Sequence, residues 1–275
     1  MFEKILIIIG VVVFVVIMMV IIGGIMVKSQ LEKSVEELFS LSQDISGRVY
    51  SHEQIEGLPE PVQRYFRYSL QENQPYISYV RLKHGGNFRL KPDQKWMSIR
   101  GEEYFTAQKI GFVWFGKLPL FSVIDQYIDG RGSLVAKLLF LIKVADANGE
   151  KIDQGELLRW LGEAPWYPTA LLPSEKLTWE SVDNNSAKVI LSNQGLSVQG
   201  IFYFNKEGQI TKFTSKRYKE DTLENWTGYY RDYKEVNGMQ IPHDVEVMWN
   251  LESGNFSYAR FNITEIEYNN PSKFK

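Results

Sequence analysis

The sequence predicts a mainly β protein with some helix, in which an N-terminal transmembrane helix precedes a large antiparallel open barrel or half-barrel with a few packed helices. Three observations support this fold class. An unbroken apolar run opens the chain, apolar and polar residues alternate along most of its second half, and turn-forming pairs separate the alternating segments. We expect residues 1–28 to be a transmembrane anchor, 29–54 a juxtamembrane helix or linker, and 55–275 the half-barrel domain.

The apolar run covers the 23 residues 5–27 and contains no charged side chain. As a helix it is about 34 Å long, enough to cross a bilayer core of about 30 Å. A cleaved signal peptide has a shorter apolar region and an A-x-A-like site, which the exit before Lys28 lacks. The pattern therefore predicts a retained single-pass signal anchor. Lys4 and Lys28 flank opposite ends, but long domains translocate largely regardless of charge, so we expect an extracytoplasmic domain.

Two helices are predicted between the anchor and the strands. Residues 29–45 place Leu31, Val35 and Leu38 on one face and charges on the other, a pattern that we interpret as a juxtamembrane stalk. Residues 58–70 begin with Pro59 and Pro61, which a helix start allows, and then continue as a short helix.

From about Ile77 the apolar pattern changes to a period of two, which predicts strands. Asn237-Gly238 is a strong two-residue hairpin signal. Residues 138–142 are apolar on both faces, so we expect that strand to be covered on both sides. The predicted strands are 96–100, 111–115, 123–145 with an interruption at 129–132, 177–181, 187–192, 197–204, 209–217, 226–236, 240–251 and 256–268.

A helix over residues 153–164 interrupts the strands, and we expect it to lie in the concavity of one wide, curved sheet. On this helix Glu156, Arg159, Trp160 and Glu163 share an arc of about 100°. The favoured interpretation is a set of ion pairs on the helix surface. If the helix instead fills the concavity, Arg159 and Glu163 are buried near Trp166 and could orient a ligand head group or perform acid–base work.

Further candidates lie on the strands. Asp125, Tyr127 and Asp129 are spaced to share one strand face, but two carboxylates on a strand do not define a reaction, and we assign no catalytic residue. The aromatic loop from Trp166 to Pro173 is expected to close the cavity. The candidate ligand-binding residues are Trp114, Tyr127, Asp129, Arg159, Trp160, Glu163 and Trp166.

Composition and motifs exclude several classes of function. A net charge of −2 argues against nucleic-acid binding, and the absence of cysteine removes disulfides and lipoprotein-type acylation. His52, His84 and His243 are scattered singly, so we expect no metal, and no cofactor is predicted. The basic stretch around His84 is interpreted as a solvated sheet face, with contact to anionic lipid headgroups as the alternative. Residues 111–118 have P-loop spacing but end in leucine, where a Mg²⁺-binding hydroxyl is needed.

Several stretches together resemble a bacterial and archaeal family of membrane-anchored proteins with no assigned biochemical role. They are residues 58–66, 111–114, 125–132, 155–163, 166–173 and 233–242. The resemblance implies a fold similar to the lipoprotein-carrier half-barrel, an incomplete antiparallel barrel whose concave face holds acyl chains. This chain departs from those carriers because it lacks a lipidated cysteine and a cleaved signal. A tethered domain that binds or transfers a lipid locally is therefore the implied form.

Three hypotheses about function remain open. The leading one is a membrane-tethered protein that binds a hydrophobic ligand, with a lipid as the first candidate, in an aromatic-lined cavity; on this view it is not an enzyme. The second is an enzyme that acts on a membrane-derived substrate through Asp129, Arg159 and Glu163. The third is a structural or protein-interaction module of the cell envelope. A dry cavity would favour the binding protein. A wet cleft where Asp129, Arg159 and Glu163 converge would favour the enzyme, and a filled barrel would favour the structural module. Protein partners stay open.

Overall fold

The structure, a computed structural model, describes residues 2–274, apart from the side chain of Val12. The helices in this range are α1 Phe2–Ser40, α2 Glu60–Ser69 and α3 Glu150–Glu163, with short 3-10 helices at His52–Ile55, Ala164–Trp166 and Pro168–Leu171. The predicted boundaries at residues 1 and 275 lie outside the described residues. The division into anchor, linker and domain therefore stays a prediction.

Fourteen strands within residues 2–274 form one antiparallel sheet. They are β1 Tyr79–Phe88, β2 Met97–Ser98, β3 Arg100–Thr106, β4 Gly111–Lys117, β5 Phe121–Ile128, β6 Arg131–Leu138, β7 Ile142–Asn148, β8 Leu177–Asp183, β9 Ser186–Asn193, β10 Leu196–Phe204, β11 Ile210–Lys219, β12 Thr222–Val236, β13 Met239–Leu251 and β14 Gly254–Tyr268. The order is β7-β6-β5-β4-β3-β1-β14-β13-β12-β11-β10-β9-β8, and β2 pairs with β1. The predicted fold class is confirmed.

Most hairpins follow the predicted turn residues. Asn237 and Gly238, with φ of 51° and 79°, connect β12 and β13 as the sequence predicted. The sequence did not predict β3 as a separate strand. The charged pair Glu102-Glu103 interrupts the apolar pattern of this strand. Glu103 is buried at an inward position, where an apolar residue is expected.

The expectation for residues 138–142 was wrong. Instead of one strand covered on both faces, the chain makes a hairpin turn in which Leu138 pairs with Ile142. Leu139 and Phe140 have φ of 50° and 63°, the left-handed conformation of a tight turn. The apolar run is therefore the tip of the β6–β7 hairpin, and Ile142 is 59 % exposed.

The second half of α1 packs on the outer face of the sheet. Val27, Leu31, Val35 and Leu38 recur at helical spacing, and all four are buried in one cluster with outer-face residues of β3, β4 and β5. This segment is therefore part of the folded domain, and the interpretation as a free stalk was wrong. The helix also ends at Ser40, earlier than the predicted residue 45, and the chain then turns toward β1.

Helix α3 lies across the inner face of the same strands, as predicted. Leu157, Leu158 and Leu161 are fully buried in the main core. Asp153 in the first turn accepts the backbone N–H of Gly132 at 2.6 Å, which fixes the start of the helix to β6. A carboxylate there also suits the positive end of the helix dipole. The remaining face of α3 borders the cavity described below.

Candidate functional site

A cavity of about 540 Å³ lies between α3 and the inner face of the sheet. This volume is within the range of small-molecule sites, roughly 300–1,000 Å³. Aromatic residues make up much of its wall: Trp114, Trp166, Trp226, Trp249, Tyr258 and Phe261. Ionisable residues from α3 and the strands also line it: Asp125, Glu156, Arg159, Glu163 and Arg217. The cavity thus combines a mostly apolar wall with a charged region.

Arg159 is the centre of the charged region, and we call Arg159, Glu103, Asp125 and Glu163 the Arg159 cluster. Nη1 donates to Asp125 Oδ2 at 2.7 Å, Nη2 to Glu103 Oε1 at 2.7 Å, and Nε to Glu163 Oε1 at 2.9 Å. The Arg159 side chain is only 11 % exposed. The guanidinium therefore binds three carboxylates, each through a different nitrogen, in a largely dry environment.

A second ion pair and two aromatic rings extend this arrangement. Arg217 on β11 donates to Glu156 Oε1 on α3 at 2.9 Å, and both side chains are buried. The Arg159 guanidinium lies 4.8 Å from the ring centre of Phe112 and 5.0 Å from that of Trp114. Within residues 2–274, no group of three or more histidine, aspartate or glutamate side chains is arranged to hold a metal ion. The carboxylates instead surround the two guanidinium groups.

The carboxylates outnumber the guanidinium groups in this region. Burial and the neighbouring Asp125 raise the pKa of Glu156 to about 8, against the opposing effect of Arg217. Burial and the nearby Glu163 raise the pKa of Glu103 well above its ordinary value. Burial also raises the pKa of Glu163, despite its bond to Arg159. These shifts favour the protonated form of the buried carboxylates, which reduces the excess negative charge of the region.

Three oxygens of the carboxylates that line the cavity are buried without a hydrogen-bond partner in the part of the chain that the structure describes. Asp125 Oδ1, Glu156 Oε2 and Glu163 Oε2 are buried and have no hydrogen-bond partner among the described residues. The same holds for Nε1 of Trp166 in the cavity wall. Buried polar atoms are normally hydrogen-bonded. The residues that line the cavity therefore leave hydrogen-bonding groups unused.

His84 supports the cavity wall from β1. Trp114 Nε1 donates to His84 Nε2 at 2.8 Å, and the planes of the two rings are nearly parallel, at 5°. Burial lowers the pKa of His84 to about 4, so the ring is neutral at ordinary pH and can accept this bond. The interpretation of a wholly solvated stretch was wrong at this residue. Strand alternation turns His84 inward, while Arg81 and Lys83 pair with outward carboxylates of β14.

Four of the seven predicted ligand-binding residues line the cavity: Trp114, Arg159, Glu163 and Trp166. Two others are buried in the core, where protein groups already occupy their polar atoms. Asn193 donates to the hydroxyl of Tyr127 at 3.1 Å, and Trp160 donates to the carbonyl of Thr106 at 3.2 Å. A ligand-binding role for any of the seven stays a prediction. The interpretation of Arg159 and Glu163 as surface ion pairs was wrong, since both are largely buried.

The structure does not bring Asp129 to this site. Asp129 lies in the β5–β6 turn with φ of 48°, and this left-handed conformation ends the strand alternation that would place it beside Tyr127. Its carboxylate binds Lys109 at 2.6 Å and Gln194 at 2.8 Å on the surface. Asp129 therefore does not converge with Arg159 and Glu163, the arrangement that would have favoured the enzyme hypothesis. Asp125, on the same hairpin, is the aspartate that binds Arg159.

Sequence reasoning missed Glu103 and Arg217 as site residues. Glu103 shares its strand face with the buried Phe105, and Arg217 shares its face with the buried Phe213. A charged residue at an inward position of an alternating strand was thus the available signal. Neither position stands out until the strand boundaries are known, because both strands contain several other charged residues.

Comparison with known families agrees with the resemblance noted above. Residues 48–261 match the model of a protein family described as "Family of unknown function (DUF6544)". The chain belongs to this family. No curated protein matches the chain.

Comparison with solved structures gives a distant similarity. The chain is similar to a LolA superfamily protein, NE2245, from Nitrosomonas europaea, with 9 % identity, 76 % of this chain and 92 % of that chain covered, and a TM-score of 0.43. Similarity at this level carries no argument about function. The DUF6544 assignment does not supply one either, so function has to be argued from the cavity.

Proposed function

We propose that this protein is tethered to a membrane and binds a hydrophobic ligand, with a lipid as the first candidate, in the cavity under α3. The observation that carries the proposal is the cavity itself. About 540 Å³ lie open between helix and sheet, with a wall made largely of aromatic rings. Burial of apolar ligand surface against such a wall contributes roughly 25 cal/mol per Å². A ligand with an apolar body therefore fits this space.

The charged region adds a requirement for the other end of the ligand. Glu156 and Asp125 present unpartnered oxygens, and carboxylates outnumber guanidinium groups around them. A head group with hydrogen-bond donors, such as an ammonium or several hydroxyls, satisfies those oxygens. The ligand is thus an amphiphile whose donor-bearing head group lies beside Arg159 and whose apolar part contacts the tryptophans.

Tethering is supported by α1. Among the described residues, α1 is the helix that is long and apolar enough to cross a membrane, a property that signal sequences share. Two features favour a retained anchor: the exit from the apolar run lacks a cleavage pattern, and the same helix continues into the folded domain through Val27 and Leu31. We place the domain on the extracytoplasmic side.

The other two hypotheses find less support. The expected catalytic group does not assemble, because Asp129 lies on the surface beside Lys109. A purely structural module would have a filled interior, whereas α3 and the sheet leave a cavity. We therefore propose binding without a chemical step.

Native mass spectrometry of the full chain, released from detergent micelles, tests the proposal. We expect a co-purified amphiphile in the wild-type protein. Val247 lines the cavity from β13, so Val247→Trp fills it and should remove the bound mass. Met248 is the next residue of the same strand and faces outward, and Met248→Trp is the matched control that should keep the ligand.

Two results would contradict binding in this cavity. One is a wild-type protein that carries no ligand and takes up none from added phospholipid. The other is equal ligand retention by Val247→Trp and Met248→Trp when both variants have wild-type circular dichroism, since the ligand then lies elsewhere.

A further inference from the structure

Two neighbouring hairpins end in exposed apolar tips. The β4–β5 turn presents Leu120, which is 54 % exposed, and the β6–β7 turn is followed by Ile142 and Val144, which are 59 % and 53 % exposed. The tips are joined, because the N–H of Leu139 donates to the carbonyl of Leu120 at 2.7 Å. Together, residues 118–121 and 138–144 form a surface that we call the apolar tips. An apolar surface of this kind usually marks an interaction site.

The apolar tips contact α1 inside its apolar run. A Cβ placed on Gly23 would lie 2.7 Å from Leu141 Cγ and 2.9 Å from the carbonyl oxygen of Phe140, so the turn approaches the helix where a side chain is missing. The four residues 24–27 separate Gly23 from the end of the run. At about 1.5 Å per residue, the contact lies roughly 6 Å inside that end. Interfacial segments bury their apolar face to a similar depth, about 5–10 Å.

Lysines lie beside the apolar tips, and Lys143 lies within them, between Ile142 and Val144. Lys117 lies 5.7 Å from the ring centre of Phe140, Lys137 donates to Gln30 of α1 at 3.2 Å, and Lys143 pairs with Asp146 next to Ile142. Lys28 directly follows the apolar run of α1. Apolar tips with lysines around them fit the boundary between acyl chains and anionic headgroups, where a long lysine side chain can extend to the headgroups.

The cavity reaches the same ends of the strands. Leu118 begins the β4–β5 turn and lines the cavity, two residues before the exposed Leu120. Leu90 follows the corresponding end of β1, lines the cavity, and is 64 % exposed. The cavity is therefore accessible from the side of the domain that carries the apolar tips.

We propose that the apolar tips insert into the lipid leaflet that α1 crosses, so that the cavity opens at the membrane surface. The inference rests on the proposed tethering and goes beyond it, because tethering does not say which surface of the domain enters the leaflet. The bilayer is the occupant that the contacts favour. The tips touch the same helix at a depth where that helix is itself in contact with acyl chains, and lysines stand where headgroups lie. A ligand can then pass between leaflet and cavity without crossing water.

The absence of cysteine from the chain allows a direct test with single labels. Val16→Cys, in the middle of the apolar run, Ile142→Cys, in the apolar tips, and Val182→Cys, on the distant strand β8, carry one bimane fluorophore each. Val182 is 50 % exposed and is the matched control for Ile142. The full-length variants are reconstituted into vesicles of phosphatidylcholine and phosphatidylglycerol, with or without nitroxide-bearing phosphatidylcholine.

Insertion predicts several-fold stronger quenching by the lipid-borne nitroxide at Ile142 than at Val182, and several-fold weaker quenching there by aqueous iodide. Equal responses at Ile142 and Val182, with Val16 quenched by lipid, would overturn insertion while leaving tethering and ligand binding intact. A Val16 label that lipid does not quench would refute tethering, and insertion with it. Should Ile142→Cys fail to fold, Leu120→Cys reports on the same surface.

Discussion

Two helices pack on opposite faces of the sheet, and the two interfaces differ in kind. On the outer face of β3, β4 and β5, α1 buries Val27, Leu31, Val35 and Leu38 against apolar and tyrosine side chains. On the inner face, α3 leaves a cavity and buries an arginine among three carboxylates. Successive residues of one strand, Ile124 and Asp125, belong to the two different environments.

The outer interface serves stability, whereas the charges of the inner interface need a different explanation. Apolar packing of the outer kind stabilises a fold directly. A buried ion pair recovers the cost of its desolvation only in part, and well-packed apolar residues of similar size often serve stability as well or better. Stability alone therefore does not account for Glu103, Asp125, Glu156 and Glu163 around two guanidinium groups. Asp125, Glu156 and Glu163 line the cavity, which supports the ligand binding proposed above.

The largest expected effect comes from removing the central cation. Arg159→Met keeps an apolar stem of similar length but leaves Glu103, Asp125 and Glu163 without their shared partner. Breaking a buried charge pair in this way costs about 3–5 kcal/mol. We expect the free energy of unfolding, measured by urea denaturation of the full chain in detergent micelles, to fall by that amount.

Arg231→Met is the matched control for this variant. Arg231 binds Glu246 at 3.3 Å but is 57 % exposed, and an exposed pair of this kind contributes about 0–1 kcal/mol. If the two variants unfold at the same urea concentration, the inner interface does not depend on its charges. Were Arg159→Met instead to stay folded and lose the co-purified ligand, the arginine would belong to the binding site more than to the fold.

A slightly smaller effect tests the outer interface. Leu38→Ala removes a buried side chain of α1 that contacts the start of β4, and such truncations cost about 2–5 kcal/mol. The same truncation at Leu41, which is exposed just past the end of α1, should change the free energy of unfolding by less than about 0.5 kcal/mol. Both are measured by the same urea denaturation. Equal stabilities would mean that α1 does not pack on the domain, as the stalk interpretation had assumed.

The outer interface also shows how far local sequence patterns reach. The helical spacing of Leu31, Val35 and Leu38 predicted one apolar face correctly, because periodicity is a local property. What that face contacts depends on residues such as Val113 and Ile124, about 80 positions or more away, and no local pattern indicates that contact. The strands and the position of α3 in the concavity were predictable for the same reason.

The inner interface was harder to predict, because charge is ambiguous in a sequence. Glu163 four residues after Arg159 is the ordinary spacing of a solvent-exposed helix pair. What shows that the pair is buried is its contact with Glu103 and Asp125, which lie on two strands and meet Arg159 only in the folded sheet. For Asp129 the local pattern was misleading. Its spacing fitted the strand that contains Tyr127, but Asp129 itself adopts a left-handed turn conformation, which ends the alternation there.

The smallest effect per step is the dependence of stability on pH that Glu156 contributes at the inner interface. The pKa of Glu156 is raised from 4.5 to about 8, so the folded state binds this proton more tightly than the unfolded chain. The stabilisation is complete below the unfolded pKa and is lost as pH rises through the folded one. The free energy of unfolding should therefore decrease from about pH 5 to about pH 8, by at most about 1.4 kcal/mol per pH unit for each such group.

Glu156→Gln removes this titration while keeping the shape of the side chain, and its curve should be flatter than that of the wild type in urea denaturation at each pH. Some slope should remain, because the raised pKa values of Glu103 and Glu163 act in the same direction. Leu38→Ala, on the outer face, should lower the whole curve without changing its slope. A free energy of unfolding that instead rises over this pH range would mean that the inner carboxylates are ionised and paired. The two interfaces would then differ in how their side chains are arranged, but the inner carboxylates would not be held in the protonated form.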